Sequence, residues 1–462
     1  MGERGALTEA QKHSHVNPNC VIDCEYCKNN RAVSLPEDLV AATQKGDVVV
    51  FAGAGISTEN RSVLRHTLYD QIRGQIEAGE DLTFPQVMQQ FCATPNGRIK
   101  LIEEIRSRFD NIDSFPELEA AATRFHRSLG TLFLVSQIIT TNWDTYFERY
   151  CHALPFVDGE DAAFWGTNQR KVLKIHGSID KLSSIVATSS DYKACEKRLS
   201  TGLIGGILKN LLATKTFVFV GYSLRDEDFL QIRSFVRKQL KQFKRHAYLV
   251  TPFEDKMHES LERDGFTVLK TDGTFFVEQL KGHIRSLGPG LLSDELFDAA
   301  RSLRLKLAEE HHKLHKKHKI TNIPEVMYAA SYQDGLAHSL ERALAMRGSG
   351  EYSHTCRLSN VARSYFQMLP DLRKAKRFAD VAYVEGYING LAYLLSIGSD
   401  KEKVRPPLYF AFGAGELSSL TAFSKLFKDG AIPHKAARTY AAKMIGKLAD
   451  PSQIEFHHPP WL

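Results

Sequence analysis

Asp47-Val48-Val49-Val50-Phe51-Ala52-Gly53-Ala54-Gly55-Ile56-Ser57 is the stretch that decides the fold. A run of β-branched and aromatic residues ends abruptly at a pair of glycines, as a buried parallel strand does where it turns into the next element. Gly53 and Gly55 allow a tight turn and let backbone N–H groups approach a phosphate. A tight strand-to-helix turn without a ligand would use the same residues. Thr58 stands where the third glycine of G-x-G-x-x-G would fall, so the motif is incomplete.

Outward from this stretch the pattern repeats. Gln137–Thr141 (QIITT), Val172–His176 (VLKIH), Thr216–Gly221 (TFVFVG) and His246–Thr251 (HAYLVT) are short apolar runs that end in small or polar residues. Helix-compatible segments lie among them, at Val63–Glu77, Asp226–Lys241 and Glu254–Asp264. Such alternation predicts an α/β fold, a doubly wound parallel (Rossmann-like) sheet whose ligands bind beyond the carboxyl ends of the strands. Residues 83–134 lack strand runs and read as a helical insertion. Beyond Leu287-Gly288-Pro289-Gly290 the strands fade, and Ser293–His318, Ala329–Met346 and Ala375–Leu395 read as helices. The expected organisation is a leader over 1–34, the α/β domain over 35–288 and a mostly α-helical C-terminal domain over 291–462.

Composition bounds the function. With 462 residues, 43% hydrophobic and 25% charged, the chain is a folded multidomain protein and not a disordered one. No apolar run approaches the roughly 18 residues of a membrane span. The first thirty residues show no apolar core of a secretory signal. Seven cysteines, odd in number and scattered apart from three near the N-terminus, fit a reducing, cytoplasmic compartment. The whole net charge of +6 falls within residues 291–462, while the first 290 residues net to zero. Any electrostatic pull on an anionic partner, nucleic acid included, therefore sits in the C-terminal part.

Three further strand ends carry chemistry-bearing residues. Thr140-Thr141-Asn142-Trp143-Asp144 follows the second run, His176-Gly177-Ser178 the third, and Gly221-Tyr222-Ser223-Leu224 the fourth. Singly, Asn142 could cap a helix, His176 could be a satisfied core histidine and Ser223 an N-cap. Together they line one edge of one sheet. The order GAG-x-S, T-x-N-x-D, HG and G-x-S-L resembles the sirtuin family of NAD-dependent enzymes over residues 47–285. The resemblance implies that Gly53, Ala54, Gly55 and Ser57 contact the phosphates and ribose of NAD, with Thr140 beside them. It implies that Asn142 and Asp144 line the nicotinamide pocket, Asn142 fixing a water, and that His176 is the general base. Gly221 and Ser223 would hold the adenine-side ribose and phosphates.

The departures from the family are informative. Sirtuin deacylases carry two zinc-binding cysteine pairs between HG and G-x-S, whereas residues 178–220 contain only Cys195. The usual G-I-P-D-F-R stretch is replaced by Thr58-Glu59-Asn60-Arg61. The pattern looks closer to the divergent prokaryotic sirtuin-like proteins that hydrolyse NAD in antiviral defence. That resemblance implies an NAD+ glycohydrolase with NAD as substrate, gated activity, a homo-oligomer, and a partner such as an ATPase or sensor subunit. A deacylase or ADP-ribosyltransferase on the same fold, a non-catalytic NAD or ADP-ribose sensor, and a nucleic-acid-binding effector subunit are the alternatives.

Other clusters compete for a function. In the leader, Cys20, Cys24 and Cys27 with His15 form a candidate structural zinc site, against a plain tail with chance cysteines. His311 and His315 share a helix face, but within a basic run that reads as solvated. Arg373-Lys374-Lys376-Arg377 lacks interleaved aromatics for nucleic acid and reads as a subunit contact or a solvated face. Phe410-Ala411-Phe412-Gly413-Ala414-Gly415 echoes the first glycine loop, but no strands are expected around it, so it reads as a turn.

Overall fold

This computed structural model describes residues 29–60, 63–79, 81–222, 234, 247–317, 321–397, 405–417, 419–448, 450 and 458. The chain divides into two compact units, residues 1–284 and 285–462.

The first unit is built on a seven-stranded parallel sheet in the order β3-β4-β2-β1-β5-β6-β7. Its strands are β1 Val48–Ala52, β2 Gln137–Thr140, β3 Leu154–Phe156, β4 Lys171–Lys174, β5 Thr216–Val220, β6 Ala247–Val250 and β7 Phe266–Leu269. Every residue of β1 and β5 is buried, as expected of central parallel strands covered on both faces. The Phe51 and Phe219 rings stack at 5.2 Å on one face of the sheet. The chain runs from β1 outward through β2 and returns to the other side of β1 at β5. The strand order therefore reverses beside β1, the position at which open α/β sheets bind ligands beyond the carboxyl ends of their strands.

Two strands escape the sequence pattern. β3 is a three-residue edge strand containing Pro155, tolerated there because an edge position spares the missing N–H. β7 occupies the opposite edge and has two half-buried residues, so it lacks the continuous apolar signature of the centre.

The insertion over residues 83–134 is helical, as expected, and packs with the helix that precedes it. Leu68–Gln75 and Phe84–Cys92 both begin in capping boxes, Thr67 with Asp70 and Thr83 with Gln86. With Gly97–Ser114 they bury Ile72, Met88, Leu101 and Ile105 in one cluster, against which Trp143 of the sheet edge packs.

The second unit has its own core. Helices Glu295–Lys317, Val326–Ala345, Thr355–Lys374 and Phe378–Ile397 form it. Gly335 and Gly386 let the second and fourth of these cross closely. A Cβ at either would lie 2.0 Å from a backbone carbonyl of the facing helix. Among the described residues, no helix is long and apolar enough to cross a membrane.

The expectation of no strands around the second glycine loop is corrected. β8 Tyr409–Ala411 and β9 Ala414–Leu417 form an antiparallel hairpin, with Phe412 and Gly413 at positive φ in its turn. The Phe412 N–H donates to Glu385 Oε2 at 2.7 Å, so a carboxylate of this chain takes the place an anion would occupy.

Candidate active site

The two glycine-bearing loops close on each other. Gly53 N donates to Val220 O and Gly55 N to Gly221 O, each at 2.9 Å. A Cβ at Gly53 or Gly55 would stand 2.7 Å from the Gly221 carbonyl oxygen. Gly221 itself has φ +75°, and a Cβ there would stand 2.6 Å from Ile56. The glycines are thus required first by the approach of loop to loop, a demand made by the chain itself. Tyr222 completes the seam, its hydroxyl 3.2 Å from Ala52 O and 3.1 Å from Thr141 Oγ1.

The end of β2 is tied across to β1. Thr140 Oγ1 donates to Ala52 O at 2.8 Å and accepts from Asn142 N at 3.0 Å. This fixes the turn that presents Asn142 and Asp144. Asn142 Nδ2 lies 3.3 Å from Gly53 O and 3.4 Å from Ser57 Oγ, and Ser57 Oγ donates to Asp144 Oδ2 at 3.1 Å. Asp144 Oδ1 accepts from Tyr146 N at 3.1 Å at the start of helix Tyr146–Cys151. Ser57, Thr140, Asn142 and Asp144 are all buried. Asn142 Oδ1 is buried with no hydrogen-bond partner, an acceptor whose satisfaction is worth about 1–3 kcal/mol.

His176 is held by a different set of contacts. Its ring meets Tyr192 edge-on, with centroids 5.0 Å apart. Its carbonyl accepts from Val186 N at 3.0 Å. Gly177 has φ +89°, and a Cβ there would lie 2.2 Å from Ser184 O, which explains why glycine follows the histidine. Burial pushes the Cys195 thiol up, but His176 and Arg198 outweigh it and leave the thiol below its ordinary value.

Two cations escaped the sequence reading. Lys174, the last residue of β4, is fully buried; its Nζ bonds the Asp144 carbonyl oxygen and lies 2.9 Å from Glu148 Oε1. Burial, against the opposing pull of Lys174, raises the Glu148 carboxyl above its usual range. Arg108 pins the segment after the glycine loop: its guanidinium reaches Thr58 O at 3.3 Å, Glu59 Oε1 at 3.0 Å and His66 O at 3.1 Å. The signal was present, because Leu101, Ile105, Arg108 and Ile112 recur at helical spacing on the buried face.

Ser223 and Arg61 lie outside the described residues, as do the leader residues His15, Cys20, Cys24 and Cys27. Among the described residues no group of three or more His, Cys, Asp or Glu is arranged to hold a metal. His311 Nδ1 lies 3.3 Å from Gln333 Oε1. Of the basic cluster, Arg373 pairs with Glu385 at 3.0 Å and Arg377 with Asp380.

Comparison with known proteins agrees with the sheet. Residues 136–269 match the family model described as a SIR2-like domain, a span that includes Thr140, Asn142, Asp144, His176 and Gly221. The chain is 30% identical over 217 residues to the NAD(+) hydrolase ThsA of Enterococcus faecium, covering 45% of this chain and 44% of that protein. It is 29% identical over 224 residues to the ThsA of Cytobacillus dafuensis, covering 46% and 43%. It is 24% identical over 262 residues to defense-associated sirtuin 2 of Bacillus subtilis, covering 52% of this chain and 25% of that one. The chain thus spans less than half the length of these relatives. The SIR2-like match thus falls on the part of the parallel sheet that runs from β2 to β7, together with the strand ends that carry Asn142, Asp144 and His176.

Proposed function

We propose that this protein hydrolyses NAD to nicotinamide and ADP-ribose. The observation that carries the reading is the buried cluster Ser57–Asn142–Asp144, whose Asn142 Oδ1 is left without a partner at the ligand edge of the sheet. In the reaction the C1′–nicotinamide bond breaks through an oxocarbenium-like transition state as water forms a new bond to C1′. Asn142 can donate through its amide while its free oxygen accepts from that water. Asp144, fixed by Ser57 and by the start of the following helix, lines the nicotinamide side. His176 takes the water's proton, a role that contributes about 10²–10⁴-fold in typical cases. Gly53, Ala54, Gly55 and Thr140 frame the pyrophosphate and ribose, with Gly221 and Ser223 on the adenine side. The names of the ThsA relatives support the same reading.

The wider role we assign is that of a gated, cytoplasmic NAD-depleting effector in prokaryotic antiviral defence. The defense-associated sirtuin among the relatives supports this. Residues 291–462 would serve assembly into a homo-oligomer or contact with a sensor or ATPase partner, since an ungated NAD hydrolase would starve its own cell. The test is product analysis of the purified chain incubated with NAD and an acetyl-lysine peptide. Nicotinamide and free ADP-ribose with an untouched peptide are expected. Acetylated ADP-ribose would show a deacylase, and a labelled target protein an ADP-ribosyltransferase.

A further inference from the structure

We propose that Tyr192, Cys195 and Arg198 are positioning residues of His176, holding its ring in the one orientation from which it takes a proton. The inference rests on the reading of His176 as proton acceptor given above. The three residues recur at intervals of three along helix Ser189–Thr201 and so share one of its faces. Two of them converge on the carbonyl oxygen of Ile175, immediately before His176. Cys195 Sγ lies 3.3 Å from it and Arg198 Nη2 lies 2.5 Å from it. Arg198 also reaches the Cys195 sulfur at 3.6 Å.

Backbone contacts alone would not orient the imidazole. The chain is fixed on either side of His176 by Val186 N and by the crowding at Gly177, yet the second side-chain torsion of a histidine is broad. Tyr192 closes one side of the ring at 5.0 Å with an interplanar angle of 62°, and the Cys195 thiol, held on the Ile175 carbonyl, lies near enough for the imidazole to make it more acidic. The helix that carries these groups is itself anchored. Thr188 and Asp191 form a capping box, and Arg98 of the insertion bonds Asp191 Oδ2 at 2.8 Å and Ile185 O at 2.7 Å. The stretch in which the deacylase pattern has its cysteine pairs thus holds a side-chain clamp on the histidine.

The experiment compares the full chain with Tyr192→Leu, Cys195→Val and Arg198→Met, alongside the conservative Tyr192→Phe and Arg198→Lys. Each is measured for kcat and KM in nicotinamide release, for Tm, and for the 15N signals of the His176 ring, assigned by loss in His176→Gln. A positioning role predicts kcat reduced about tenfold or more in the first three variants, because small misplacements of a reacting group are costly. KM should stay within about twofold, since NAD contacts are unchanged. The ring signals should shift or broaden, and the conservative variants should recover most of the rate. Unchanged kcat with an unchanged ring spectrum overturns the proposal. So does a joint fall of kcat and Tm with an unchanged ring spectrum, which marks a structural role. If the unmodified chain releases no nicotinamide, the hydrolase reading fails, and the ring spectra of the same variants decide the positioning separately.

Discussion

Gly55 tolerates no side chain in this fold. Gly55→Ala would drive a methyl to 2.7 Å from the Gly221 carbonyl and part the two loops, an overpacking that typically costs about 1–3 kcal/mol. Thermal unfolding should show that loss, and an NAD titration should show weaker binding. A variant with the Tm and affinity of the unmodified chain would mean that the loops separate freely. Lys174 is the second residue on which the site depends. Lys174→Met leaves the Glu148 carboxylate and the Asp144 carbonyl without their buried cation, and breaking such a pair costs about 3–5 kcal/mol. Adding Glu148→Gln should restore part of the loss in urea unfolding, and no recovery would assign the cost to packing alone. Asn142 and Asp144 stand out in the sequence because they follow an apolar strand almost at once, whereas Ser57 is singled out only by the resemblance of GAG-x-S to the sirtuin pattern. Lys174 was not legible, because a cation within an apolar strand reads as an interruption until its carbonyl and carboxylate partners are in view, and Arg108 was legible only as a position on a buried helix face.

At the level of elements, helix Arg124–Gly130 lays His126 against Phe125, Tyr146 and Phe147, its ring 4.5 Å from that of Phe147. Burial lowers this histidine from its ordinary value to about 4. The unfolded chain therefore binds a proton that the folded one refuses over roughly pH 6.5 to 4, so stability falls as pH drops through that window. The slope approaches about 1.4 kcal/mol per pH unit. His126→Phe should flatten that part of the stability curve in urea unfolding at a series of pH values. An unchanged slope would place the acid sensitivity elsewhere. The central strands β1, β2, β4 and β5 were legible because burial on both faces leaves continuous apolar runs. Their observed limits fall within one or two residues of the expected ones. The edges were not, since a strand with one open side needs neither length nor continuous hydrophobicity. The β8–β9 hairpin was hidden for another reason: its turn is stabilised by Glu385, which is 27 residues away in sequence.

On the scale of the whole molecule, the second unit carries an independent core and residues 291–462 carry all of the net charge. If this part governs assembly or gating, a chain ending at Gly288 should differ from the full chain in light scattering and in the rate of nicotinamide release. Identical mass per subunit and identical rates would remove both roles. On the proposed reading, the ligand edge of this sheet breaks the nicotinamide bond of NAD with Asn142 in place. The most direct test of that reading is nicotinamide release from NAD by the purified full chain beside Asn142→Ala, with NAD binding measured for both. Nicotinamide and ADP-ribose in equal amounts are expected from the unmodified chain and none above background from Asn142→Ala, with the fold intact in both. Binding of NAD by the unmodified chain without release, at every protein concentration and with candidate activators present, would contradict it and mark the domain as a sensor.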